Sequence, residues 1–296
     1  MRKFLTDYTE GLIFSGNEIK PAVKLVMGLL ENQIERVDFM RDFPLVESLR
    51  LLELAIESVS CGVDLPISVP VCPDYQAESG YDDLGCGVSR TALRFLDRFP
   101  LLSGVFSKRG IKIKAEMDFA DVEILDPFLG RRLNLNKDEF FSRVAASRNA
   151  TKQEIASRGL ADKIEVGSML NRFQDNGIDY AVRQHQFADQ ILSDYSLGKN
   201  RKVKLTLNAL IKERTKIGDY QTLKLSSDSE YLEVAAYELA GYAVYGELIG
   251  PDALICSPDA ESAIPGYNFL KKDRSTISPT AFIKPLRRGH GSLFFD

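Results

Sequence analysis

Cysteine and histidine are both scarce in this 296-residue chain, with four of the first (Cys61, Cys72, Cys86, Cys256) and two of the second (His185, His290). None falls into CxxC or HxxxH spacing, which removes support for a zinc site or a disulfide framework. Proline is sparse too, at 12 residues beside 44% apolar and 27% charged residues, so collagen-like, low-complexity and wholly disordered chains are excluded. Long apolar runs are missing. The best stretch, Leu232 to Ile249, is broken by Glu233, Glu238 and Glu247, so no membrane span is expected. Residues Met1 to Thr9 lack the apolar run and small-residue cleavage site of a secretory signal, and a cytoplasmic protein is expected. The net charge of −4 gives no global attraction to nucleic acid.

What is present is a succession of helix and strand signals. Residues 1–62 read as helices that pack on a main α/β domain spanning 63–296. Pro21 fits a first helical position, and Val23, Val26, Met27, Leu30 and Ile34 follow at three- and four-residue steps. A second helix starts near Pro44, carries Leu45, Leu49, Leu52, Ile56 and Val59, and stops at Gly62. Leu65 to Val71 is short and β-branched, which suits a strand, although Pro66 and Pro70 each remove a ladder donor. A loop rich in glycine and acid then leads to a helix for which Ser89 is a suitable cap.

The clearest strand is the next one. Ile111, Ile113, Ala115, Met117 and Phe119 alternate with Lys112, Lys114, Glu116 and Asp118, the period of a half-buried strand. The phase flips afterwards, at Ala120, Val122 and Ile124, so either a bulge or the strand's end lies near Phe119. Residues 134–218 read as a helical insertion with a capping box at Thr151–Glu154, a stop at Gly159 and an amphipathic run from Tyr180 to Leu192. A long helix over Ser229–Leu248 precedes a last strand, Ala253 to Cys256. The expected fold class is α/β: a three-layer, Rossmann-like arrangement around a mainly parallel sheet, with amino-terminal helices and a helical insertion.

In such sheets ligands sit outside the carboxyl ends of the strands. The strand at 65–71 runs into Cys72, Asp74 and Tyr75, the next toward Asp121 and Glu123, and the last toward Asp259. Asp74, Tyr75, Asp121 and Glu123 are therefore the candidate catalytic residues. Proline and aspartate also punctuate ordinary turns, which is the competing explanation of the same residues. Cys72, Gly85, Gly87, Ser89, Asp259 and Tyr267 are candidate substrate contacts. The loop's N–H groups and the helix start at Ser89 can receive a phosphate or carboxylate, although Asp82 and Asp83 oppose an anion there. Between Gly198 and Lys216 stand seven basic residues against the single acid Glu213. Within them Lys199, Arg201, Lys202 and Lys204 are candidate contacts to a nucleic-acid backbone, the alternative being a solvated helix face. His185 is of a residue type suited to general-base work, but its neighbours are uninformative.

The order of these parts brings a resemblance. Amino-terminal helices, a strand breaking at Cys72-Pro73-Asp74-Tyr75, Asp83-Leu84-Gly85 leading into a helix, and a strand reaching Asp118 and Asp121 resemble the isonitrile synthases in layout. The tyrosine-rich late helix, the strand after it and Pro265-Gly266-Tyr267 are similar to the cyclodipeptide synthases. Both families imply a Rossmann-type fold and an amino-acid substrate, free or carried on tRNA. The short motifs extend over about 65–290 and depart from both families. No serine matches the early nucleophile of a cyclodipeptide synthase, and the lysine and asparagine of the isonitrile-synthase pattern are missing. The resemblance thus implies a substrate class and assigns no catalytic roles. The expected function is a transferase or synthase acting on a small amino-acid-derived or phosphorylated molecule at the carboxyl edge of the sheet. Its partners are that small molecule and tRNA or another phosphate-bearing molecule, and the cofactor is unknown. The rival expectation is a non-catalytic nucleotide-, RNA- or protein-binding protein.

Overall fold

The computed structural model describes residues 45–71, 87–121, 135–198, 200–217, 219–257, 270–271 and 276–282. The helix expected over 21–34 lies outside them. In chain order the elements are α1 (Leu45–Cys61), β1 (Leu65–Val71), α2 (Arg90–Ser107), β2 (Ile113–Phe119), α3 (Lys137–Ser157), β3 (Ile164–Ser168) and α4 (Met169–Asp175). They continue with α5 (Tyr180–Ser196), α6 (Arg201–Ile217), the single turn α7 (Asp219–Thr222), α8 (Asp228–Ile249), β4 (Leu254–Ser257) and β5 (Thr280–Phe282).

The five strands form one sheet in the order β3-β2-β1-β4-β5, and every pairing is parallel. The chain therefore builds outward from β1 through β2 to β3, then returns to the other side of β1. That reversal puts the topological switch point between β1 and β4, where doubly wound folds hold their ligands. Since the strands are parallel, the ends at Val71, Phe119 and Ser257 share one edge, as expected from the sequence. The prolines of β1 are placed where they do least harm. Leu65 N–H donates to the Lys112 carbonyl and Ala120 N–H to that of Val71, so the odd residues of β1 bond β2 and the even ones, Pro66 and Pro70 included, face β4. β4 is short and its register with β1 covers only Ile67 and Ser68, so neither proline is asked for a ladder donor.

Both faces of the sheet are covered, but by different chemistry. One face carries Leu65, Ile67, Val69 and Val71 of β1 with Ile113, Ala115, Met117 and Phe119 of β2, in a core shared with residues of α1, α2 and α3. The opposite face packs Ile255 against Met169 and Phe173 of α4, Tyr180 of α5 and Val244, Tyr245 and Ile249 of α8. A third cluster joins α5 and α6 to Ala235, Ala236, Leu239 and Ala240 of α8, which makes α8 the buried centre of that layer. This is the expected three-layer α/β arrangement, and none of the described helices is long and apolar enough to cross a membrane.

Two local expectations need correction. The segment 134–218 contributes an edge strand, β3, which the five residues Ile-Glu-Val-Gly-Ser are too few to announce by alternation. Thr151 does not start a helix: it is buried inside α3 and donates its hydroxyl proton to the Ser147 carbonyl, while the capping box sits at Asn136 and Glu139. At the phase flip the second of the two alternatives is found: β2 ends at Phe119, its register with β1 unbroken to the last pair. Other signals are matched closely. Ser89 caps α2 by accepting from Ala92 N–H, and Gly62 and Gly159 stop their helices at φ +67° and +66°. Ser227 and Glu230 open α8 with a reciprocal cap.

Candidate functional site

Only part of the polar half of β2 faces water. Parallel sheets are usually covered on both sides, and here Lys114, Glu116 and Asp118 lie on the face that α4 and α8 cover. Asp118 is 0% exposed, so its carboxylate must be compensated by neighbouring groups. Tyr245 of α8 donates its phenolic proton to Asp118 Oδ2 at 2.6 Å. Arg172 of α4 reaches the same oxygen at 2.6 Å and Glu116 Oε2 at 2.9 Å. Ser68, in the middle of β1, places its hydroxyl 2.9 Å from that oxygen and 2.7 Å from the Tyr245 hydroxyl. Three elements thus converge on one carboxylate oxygen. The other, Oδ1, is buried and has no hydrogen-bond partner among the described residues.

The electrostatics follow from this packing. Burial, and then the Asp118 carboxylate, holds the Tyr245 phenol well above its ordinary pKa, so it stays a proton donor throughout the physiological range. Burial also raises the Glu116 pKa, and Asp118 adds to the effect while Arg172 opposes it. A pocket of about 160 Å³ adjoins the cluster and is lined by Ser68, Glu116, Arg172, Lys114, Glu165 and Pro66 among others. That is below the ~300 Å³ at which drug-sized pockets begin, and it suits a small molecule or one end of a larger one. It meets Ser68 over the amino-terminal half of β1 and β2, on the covered face, whereas the sequence points to the carboxyl edge.

Asp121 does lie at that edge, directly after β2. Its Oδ1 accepts the Leu170 N–H at 2.8 Å, and Oδ2 accepts from Arg148 at 3.1 Å and from the Ser168 hydroxyl. Ser168 in turn caps α4 by accepting from Asn171 N–H. Asp121 therefore fixes the start of the helix that carries Arg172 onto Asp118. Asp121→Asn keeps the shape but removes the charge at that helix start, and is expected to lower stability by about 1 kcal/mol. An unchanged denaturation midpoint would contradict this anchoring.

The other expected residues are placed as follows. Ser89 is buried and caps α2, and Gly87 is exposed just before it. Arg201 and Lys204 are exposed on α6, as are Lys212 and Lys216, but Arg214 turns inward to the buried Glu238 of α8. Cys72, Asp74, Tyr75, Gly85, Glu123, Asp259, Tyr267 and Lys199 lie outside the described residues, as does the side chain of Lys202. His185 is exposed beside the Tyr237 hydroxyl, with Asp189 3.5 Å from its Nε2. Sequence reading misses Ser68, Asp118 and Arg172 as site residues. The one signal that could find them is a serine and an acid inside adjacent strands whose other residues are apolar.

No family model matches the chain, and no curated protein matches it in sequence. Among solved structures the chain is similar to a CDPS, a cyclodipeptide synthase, from Staphylococcus haemolyticus, at 12% identity and a TM-score of 0.41. That likeness covers 83% of this chain and 97% of the other.

Proposed function

We propose that this chain is a transferase or synthase acting on a small amino-acid-derived substrate, with Ser68 receiving the acyl group. The observation that carries the reading is the Ser68 hydroxyl, held by the buried Asp118 carboxylate and the Tyr245 phenol at the wall of a small pocket. A serine hydroxyl is a poor nucleophile until a neighbouring base takes its proton, and Asp118 Oδ2 is within reach. In the step we assign, Ser68 Oγ bonds to the carbonyl carbon of an aminoacyl ester and the ester C–O bond breaks. The Ser68 proton passes to Asp118 Oδ2 and on to the departing alcohol oxygen. Tyr245 keeps Oγ and the carboxylate in register, and Arg172 balances the carboxylate's charge. The test is incubation of the purified chain with aminoacylated tRNA, followed by chromatography of the small products. Deacylation no faster than in buffer would sink the reading.

The tRNA-carried form of the substrate is favoured by the exposed face of α6, where Arg201, Lys204, Lys212 and Lys216 project into solvent on a chain that is acidic overall. Basic residues in that arrangement neutralise phosphates and release counterions. Replacing Arg201 and Lys204 with glutamine is expected to weaken tRNA binding and to flatten its dependence on log salt by about 0.7–0.9 for each phosphate that is no longer neutralised. An unchanged salt slope would return this face to plain solvation. If tRNA binds and no acyl transfer occurs, the chain is an RNA-binding protein instead.

A further inference from the structure

We infer that the notch over Gly167, between Oδ1 of Asp118 and Oε1 of Glu116, is a subsite for a primary ammonium group. Arg172 serves one oxygen of each acid, Asp118 Oδ2 and Glu116 Oε2. The oxygens it leaves both face β3. A Cβ on Gly167 would stand 3.3 Å from Glu116 Oε1 and 3.5 Å from Asp118 Oδ1, so the missing side chain is what keeps this space open. Asp118 is wholly buried and its Oδ1 has no donor among the described residues, a condition that is costly to leave unmet. Two carboxylates against one guanidinium also leave the group one positive charge short of neutrality, the neighbouring Lys114 being paired with Glu165.

An alkylammonium satisfies all of this: one positive charge and three N–H donors, two of them aimed at Oδ1 and Oε1. A divalent cation does not, since Mg²⁺ and Ca²⁺ take about six to eight oxygen ligands and a guanidinium is already present. Gly167 is partly exposed, and Glu116, 41% exposed, lines the adjoining pocket, so the notch lies beside solvent. The substrate would then lie with its amino group over Gly167 and its carboxyl end toward Ser68, which selects a free amine over an N-acylated one. This orientation rests on the transfer reading above; the subsite itself does not. Protonated Glu116 competes with the cation. Asp118, Arg172, Glu165 and Lys114 all face Glu116, and with its pKa raised, ligand binding strengthens as pH rises through the range in which Glu116 ionises.

The test is ligand-observed NMR titration of the full chain with L-alaninamide and with propionamide, which has the same skeleton without the amine. We expect alaninamide alone to bind, and its affinity to fall at least tenfold in Glu116→Gln and in Gly167→Ala, whose methyl fills the notch. Equal binding of propionamide, indifference to both variants, or displacement by potassium chloride but not by choline chloride at the same ionic strength would each overturn the subsite. Failure of acyl transfer with amine selectivity intact would sink the transfer reading alone.

Discussion

Arg172→Met is expected to destabilise the protein by about 3–5 kcal/mol, because it leaves the buried Asp118 carboxylate without its positive partner. Methionine keeps most of the apolar bulk of arginine, so little of the loss comes from packing. In urea the midpoint should fall while the slope stays near the wild-type value, since the surface exposed on unfolding is nearly the same. A second substitution decides the cause. Adding Asp118→Asn to Arg172→Met removes the stranded charge and is expected to restore part of the lost stability, because an unpaired amide costs less to bury than an unpaired carboxylate. A loss below about 1 kcal/mol for Arg172→Met, within the range of ordinary surface changes, would mean that Asp118 is compensated by other means. Free tolerance of the single change with no effect of the second would leave the ion pair without structural weight.

Ser68→Ala should abolish acyl transfer while leaving the chain folded. The hydroxyl contributes about 1 kcal/mol of hydrogen bonding and alanine fits the same space, so stability changes little. The reaction, in contrast, loses its acceptor atom. Asp118→Asn, which keeps the shape and removes the base, is expected to lower kcat by about 10²–10⁴-fold with a smaller effect on KM. Tyr245→Phe removes a donor to Asp118 Oδ2 and should cost more stability than Ser68→Ala and less than Arg172→Met, since the buried carboxylate keeps Arg172 and Ser68 there. A fall in activity that merely tracks a fall in melting temperature across these variants would assign the cluster to structure instead of catalysis.

The layered fold is largely legible in the sequence because its signals are local. The alternation of β2, the cap at Ser89, the stops at Gly62 and Gly159 and the length of α8 each follow from a few neighbouring residues. The common edge of β1, β2 and β4 follows from the acids that close them. Asp118 shows where such reasoning ends. Its polar phase in β2 has the pattern of a solvated face, yet α8 and α4 cover it, and which helices cover a strand depends on the whole chain order. Ser68 gives no signal for the same reason: a serine among apolar strand residues is ordinary until Tyr245, 177 residues later, is folded against it. The basic run around α6 has the pattern of one stripe, but helical geometry turns Arg214 to the buried Glu238 and leaves the exposed lysines as a narrower face. Asp121 is legible as a residue at the right edge, while its bonds to Leu170 and Ser168 depend on β3 and α4, which a five-residue strand and a seven-residue helix do not advertise.

The central claim is that Ser68 takes the acyl group, and intact-protein mass spectrometry after brief incubation with aminoacylated tRNA and an acid quench tests it most directly. The account predicts an added mass equal to one aminoacyl residue, mapped by peptide digestion to Ser68 and missing in Ser68→Ala. Acyl transfer to product with no mass added at Ser68, or with an adduct that persists in Ser68→Ala, would contradict it.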